Sequence, residues 1–312
     1  MPMKQLEIRA RDGSTITAGY SADENMPIKG VVAISHGFGE HIGYYRELAQ
    51  QLEQRGYANI VFDQRGHGKL GFADNVDSDE SAALGKKQNE KLKSTDKKRK
   101  KMQGVIPSYQ CFLDDLGDVA AAAKQMAPDV PTILYGHSMG GNIVLNYLLE
   151  NQQSDYACAV LEAPWLGLYV NISPLITGIA KIIGGLSPRV AVINKLSPGD
   201  LTGDATKADR FVNDPLYHNR ISMRMLAGVV SGCENAISNA QKIKTPIFIA
   251  SAKNDRIVSN DAIALFIENV GSSVTAKQYD SRHAIRNDTQ RETYYHDMLD
   301  YLDACVAEHS PL

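Results

Sequence analysis

Short runs rich in apolar residues alternate along this chain with longer segments in which apolar residues recur every three or four positions. The runs are GVVAIS (30–35), NIVFD (59–63), TILYG (132–136), ACAVLE (157–162), PIFIAS (246–251) and VTAKQY (274–279). Their length and β-branched content predict strands, several of them buried on both faces. Between them Tyr45, Leu48, Ala49 and Leu52 share one helical face, as do Phe112, Leu116, Val119, Ala120 and Ala123. Ahead of the first run, LEIRARDGSTITAGY places Asp12-Gly13 between two β-rich stretches, which predicts a hairpin. A hairpin followed by strands that alternate with helices predicts an α/β fold: a mostly parallel sheet flanked by helices.

Two segments break the alternation. From Trp165 to Ala240 the gap between consecutive strands far exceeds what a crossover needs. Ile172, Leu175, Ile176, Ile179, Ile182 and Ile183 recur there at helical spacing, with Ser173-Pro174 as cap and first turn and Gly184-Gly185 as stop. The expected organisation is a core of residues 1–164 and 241–312 with a helical cap inserted at 165–240. Ile176, Ile179 and Ile183 are candidates for the lining of an apolar groove. The second break, 73–104, opens on acidic residues and runs into KKQNEKLKSTDKKRKK at 86–101. That run holds nine Lys or Arg against Glu90 and Asp96, a net +7 that leaves −10 on the rest of a chain of net charge −3. It reads as a solvated charged loop with the charge to meet an anionic membrane surface.

Composition narrows the picture further. The 312 residues are 43% hydrophobic and 22% charged, which suits a folded globule, and the net charge gives no footprint for nucleic acid. No apolar stretch reaches membrane-spanning length. Cys111, Cys158, Cys233 and Cys305 stand far apart without a CxxC pair, so free thiols in a reducing compartment are expected. The reading is a cytoplasmic protein, peripheral to the inner membrane face if the basic loop docks.

The chemistry centres on LYGHSMGGNIVLNYLL, 134–149, where Gly136-His137-Ser138-Met139-Gly140 spells G-x-S-x-G between a strand and a helix. In that context the turn lifts the Ser138 hydroxyl clear of the backbone, and the helix start favours developing negative charge. A serine at neutral pH needs a base, and the base needs an acid to fix its tautomer. In this architecture they follow the serine in the order acid, then His. His283 in the polar loop YDSRHAIRND is the candidate base. Asp255 in KNDRIV, immediately after a strand, is the candidate acid, with Glu162 at the end of the preceding strand as the alternative. An acyl oxyanion needs two donors. The Met139 N–H supplies one, and the Phe38 N–H in HGFGEH, 36–41, is the candidate for the other. Glu40 and His41 read as residues that fix the Phe38 loop, and His36, His67 and His137 as loop-packing residues. A dehalogenase or epoxide hydrolase would want a carboxylate at position 138, and a non-catalytic scaffold a broken triad.

HGFGEH, FDQRGHG (62–68), GHSMGG, NDPLYH (213–218), KNDRIV and SRHA together resemble the monoacylglycerol lipase and bacterial lysophospholipase family of α/β-hydrolases. The resemblance spans nearly the whole chain. It implies the α/β-hydrolase fold with a mostly parallel eight-stranded sheet and a helical cap, no metal or organic cofactor, and cleavage of carboxylic esters of single-chain lipids, so the expected partner is a small lipid ester. It also implies Ser138, Asp255 and His283 as the triad, with the Phe38 and Met139 amides as oxyanion donors. Lys69, where relatives commonly carry Ser, and the long charged stretch depart from the family pattern.

Overall fold

The computed structural model describes residues 3–68, 102–152, 155–170, 174–187, 189–194, 196–270 and 274–309. Lys69, the basic run 86–101 and Ser173 lie outside the described residues.

The hairpin forms as the turn signal requires, with β1 (Lys4–Arg9) antiparallel to β2 (Thr15–Ser21). The apolar runs become β3 (Gly30–Ser35), β4 (Tyr57–Phe62), β5 (Thr132–His137), β6 (Tyr156–Glu162), β9 (Ile247–Ala252) and β10 (Val274–Tyr279). All eight lie in one sheet of order β1-β2-β4-β3-β5-β6-β9-β10, parallel except where β2 meets β1 and β4. Every residue of β3, β4 and β5 is buried, which is why these strands read as solid apolar runs without alternation.

Helices fill the intervals: α1 (Arg46–Gln54), α2 (Gln110–Met126), α3 (Met139–Glu150), α8 (Asn260–Val270) and α9 (Arg291–His309). The faces predicted from spacing are the ones buried: Leu48, Ala49 and Leu52 on α1, and Phe112, Leu116, Val119, Ala120 and Ala123 on α2. Helix α1 packs with α9, while α2 packs with α3. The sheet runs outward in opposite senses from β3, with β4 on one side and β5 on the other. In a parallel sheet such a reversal opens a crevice at the carboxyl ends of the strands.

Between β6 and β9 the chain forms α4 (Pro174–Leu186), β7 (Ala191–Ile193), α5 (Pro198–Leu201), α6 (Ala205–Asn213), β8 (Arg220–Ser222) and α7 (Met223–Ser238). Pro174 opens α4 as expected, but the helix runs through Gly184-Gly185 to Leu186. The segment is not wholly helical either, since β7 and β8 pair antiparallel. Three residues per strand are too few for a period-two pattern to register in sequence. Helix α7 is capped by the Ser222 side chain, which accepts from the Met225 N–H, and α4 packs along α7. On α4, Ile179 is exposed and Ile183 half-buried, while the Ile176 side chain lies outside the described residues.

Candidate active site

Five loops converge at the carboxyl edge of the sheet, following β3, β5, β6, β9 and β10. After β5 the chain reverses at Ser138, which sits at φ 52°, ψ −115°, and α3 begins at the next residue. A non-glycine residue in that region costs on the order of 1–3 kcal/mol and persists only where its surroundings hold it. Here they do. The Ser138 N–H donates to the Glu162 carbonyl at 2.9 Å, and its own carbonyl accepts from the N–H groups of Gly141, Asn142 and Trp165. The flanking glycines are required by space: a Cβ on Gly136 would lie 2.5 Å from the Gly140 carbonyl oxygen, and one on Gly140 would collide with that of Ser35.

Asp255 follows β9 and His283 follows β10, 28 positions apart in sequence, and the fold joins them. The His283 Nδ1–H donates to Asp255 Oδ2 at 2.7 Å, with both side chains buried. Asp255 Oδ1 accepts from the N–H groups of Ile257 at 2.8 Å and Val258 at 2.9 Å. Burial works against the charged carboxylate, but His283 and these backbone donors outweigh it and hold Asp255 below its ordinary value. Burial likewise works against a charged imidazole. The attraction and hydrogen bond of Asp255, aided by Glu162 and Glu40, overcome it and raise His283 above its ordinary value. With Nδ1 as donor, Nε2 carries the lone pair, the tautomer a general base requires. Glu162, the alternative acid, instead accepts from the Tyr135 hydroxyl at 2.5 Å and from Arg286.

The loop after β3 presents the Phe38 N–H. Gly37 is pinned on both sides: its N–H donates to Glu40 Oε2 at 2.9 Å, and its carbonyl accepts from His36 Nδ1–H at 2.8 Å and from the Glu40 N–H at 3.3 Å. Because a trans peptide points its carbonyl and amide in opposite directions, fixing the Gly37 carbonyl fixes the Phe38 N–H. Among the described residues neither the Phe38 nor the Met139 N–H has a hydrogen-bond acceptor, the condition of a donor pair open to a ligand oxygen. Sequence reading placed His36 as a packing residue; its carbonyl clamp is a more specific task.

Behind Phe38 lies a cluster of imidazoles. Phe38 meets His67 and His218 edge-on at 5.8 and 5.7 Å, and His67 lies 4.7 Å from His218 and 5.3 Å from His36. Burial keeps all three neutral, pushing His36 and His218 down to about 4 and His67 well below its ordinary value. His218 comes from the stretch between α6 and β8. Its N–H donates to the Gly39 carbonyl and its Nε2–H to that of Gly66. Nearby the His41 Nε2–H donates to Asp214 Oδ2 at 2.8 Å, and Arg210 donates to the Gly43 carbonyl while lying over the Tyr44 ring at 4.7 Å. Gly39, at φ 78°, leaves no room for a Cβ beside the His218 carbonyl. The segment 210–218 thus clasps the Phe38 loop, a contact no spacing in the sequence announced.

Among the described residues no group of three His, Cys, Asp or Glu side chains is arranged to hold a metal ion. No described helix is long and apolar enough to cross a membrane.

The family model of serine aminopeptidase S33, Hydrolase_4, matches residues 26–290. The chain belongs to this family. As a Hydrolase_4 member it is a serine hydrolase, and its fold is confirmed by a soluble variant of monoglyceride lipase from Saccharomyces cerevisiae in complex with a substrate analog. That structure superposes with a TM-score of 0.77 at 22% identity over 98% of this chain and 96% of its own. The α/β-hydrolase reading of the sheet therefore holds. An uncharacterized abhydrolase domain-containing protein of Dictyostelium discoideum is 27% identical over 294 residues; the match covers 93% of this chain and 28% of that longer protein. A monoacylglycerol lipase of Mycolicibacterium smegmatis is 24% identical over 277 residues, 88% of either chain.

Proposed function

We propose that this serine hydrolase cleaves carboxylic esters of single-chain lipids, monoacylglycerols foremost, through an acyl-enzyme on Ser138. One observation carries the reading: a buried Asp255–His283 hydrogen bond of 2.7 Å at the same sheet edge as a serine held at φ 52°. His283 Nε2 takes the hydroxyl proton as Ser138 Oγ attacks the ester carbonyl, and Asp255 stabilises the imidazolium that results. The Phe38 and Met139 N–H groups receive the oxyanion, aided by the positive end of α3. Collapse expels the alcohol, which leaves with the proton from His283. Water then repeats the sequence to free the fatty acid.

The lipid part of the reading is supported by three things: the exposed apolar surface of the segment beyond β6 (Ile179, Ile182 and Leu186 on α4), the name of the Mycolicibacterium relative, and the substrate analog in the yeast structure. Ile179 and Ile183 are proposed to line the path of the acyl chain. Docking of the basic stretch 86–101 on anionic lipid belongs to the same reading, and salt-sensitive binding to anionic vesicles tests it.

The deciding experiment is a hydrolysis panel of monoacylglycerols, lysophospholipids and short nitrophenyl esters, run on the full chain and on Ser138→Ala. Turnover of monoacylglycerols that falls by several orders of magnitude in the variant is expected. Turnover retained in the variant overturns the mechanism. A preference for lysophospholipids would keep the mechanism and replace the substrate.

A further inference from the structure

Arg286 lies three residues past His283, in the short turn Ile285–Asn287, and is almost wholly buried. Its guanidinium donates through Nη2 to Glu40 Oε1 at 2.7 Å and through Nη1 to Glu162 Oε2 at 2.7 Å; its backbone N–H donates to Glu162 Oε1 at 2.9 Å. It also lies over the Tyr45 ring at 4.3 Å. Each partner holds a different part of the site. Glu40, two residues beyond Phe38, accepts from the Gly37 N–H and, at 2.7 Å, from the Tyr45 hydroxyl. Glu162 lends its carbonyl to the Ser138 N–H. One guanidinium therefore spans the Phe38 loop, the strand beside the serine turn and the loop of His283.

Stability alone gives little reason for such a group. Two buried carboxylates around one buried cation cost heavily in desolvation, and apolar residues of similar volume commonly do as well or better. The cluster is also unbalanced. Burial favours neutral carboxyls, yet Arg286 overcomes it and holds Glu40 and Glu162 below their ordinary range, while burial and Arg286 keep His137 neutral. A net negative charge is left beneath the site. The His137 ring, hydrogen-bonded through Nδ1 to Glu40, stands 5.0 Å from that of His283. The charged and titratable groups around His283 are then Asp255 from the loop after β9, His137 from β5, Glu162 from β6, Glu40 from the Phe38 loop and Arg286 from the turn past His283.

We propose that Arg286, with Glu40 and Glu162, is a positioning residue for ester hydrolysis, holding the Phe38 N–H and the His283 imidazole in register around Ser138. The excess carboxylate of the cluster adds to Asp255 in favouring the imidazolium formed as the serine loses its proton. This rests on the reading of Ser138, Asp255 and His283 as the reacting groups.

The test uses the full chain with a short nitrophenyl ester and compares Glu40→Gln, Arg286→Met, Arg286→Lys and Ser138→Ala by kcat, KM, pH profile and thermal midpoint. In Glu40→Gln, kcat is expected to fall about 10- to 100-fold with KM little changed, since displacement by about 1 Å costs that order. The acidic limb of its kcat/KM profile is expected at lower pH, because a charge that favours the imidazolium is gone. Arg286→Met is expected to lose kcat and Arg286→Lys to recover part of it. If Arg286→Met does not fold, Glu40→Gln decides alone. A lowered thermal midpoint with wild-type kcat and an unmoved acidic limb in Glu40→Gln overturns the proposal. Ser138→Ala separates the two levels: activity there sinks the hydrolytic reading itself, whereas an inactive Ser138→Ala beside a fully active Glu40→Gln sinks only the role of the cluster.

Discussion

Lowering the pH from 7 to 5 should destabilise the protein through the imidazoles packed behind Phe38. His36 and His218 titrate at about 4 in the folded chain and near 6.5 once unfolded. Between those values the unfolded chain binds a proton that the folded chain refuses, so unfolding takes up protons and stability falls as pH falls. Each imidazole loses about 2 kcal/mol between pH 7 and 5, at about 1.4 kcal/mol per unit over the window below 6.5. The two together lose about 4 kcal/mol, a large share of the 5–15 kcal/mol typical of a domain. His67, also lowered, adds to the loss. His283 is raised and opposes it, because the folded state then holds its proton more tightly than the unfolded state. The assay is urea unfolding at pH 7, 6 and 5, followed by the fluorescence of Trp165, the single tryptophan and a buried one. His218→Asn is the control: whatever it does to stability at pH 7, it should remove about 2 kcal/mol of the pH dependence. A change below about 1 kcal/mol between pH 7 and 5, or an unaltered slope in His218→Asn, would refute the reasoning.

Three further outcomes are expected. In the proposed mechanism His283 accepts the serine proton and so has to be neutral; because its affinity for protons is raised, the acidic limb of kcat/KM should lie above the ordinary histidine value of about 6.5. A limb well below that value in steady-state kinetics contradicts the charge environment described. Asp255→Asn should lower kcat by about 10⁴ while leaving the fold intact by circular dichroism, because the wrong tautomer of His283 would be held. Gly140→Ala should abolish soluble, active protein, as its methyl group has no space beside the Ser35 and His36 carbonyls; expression with wild-type turnover would show that the turn can open.

The sheet was legible because its central strands are buried on both faces and short, and because helices with one apolar stripe separate them. Ser138 was legible for the same reason: strand, glycine-flanked turn and helix are contiguous in sequence. Asp255 and His283 could be found only through chain order and the loops that follow strands, since their 2.7 Å contact joins segments that the sheet alone brings together. Arg286 was invisible. A lone arginine in a polar loop reads as a solvated charge, and its burial depends on Glu40, 246 positions earlier, and Glu162, 124 earlier. The pairing of β7 with β8 escaped as well, because its strands are shorter than the period that would reveal them.

The grip of residues 210–218 on the Phe38 loop has an engineering consequence. A chimera that trims the chain between β6 and β9 to a short linker, or swaps in the equivalent stretch of a relative, would reach beyond the segment itself. It would strip away His218, Asp214 and Arg210, whose hydrogen bonds tether that loop. Residues 210–218 and the Phe38 loop are therefore inherited as one unit, and grafts here need both sides of the clasp transplanted together.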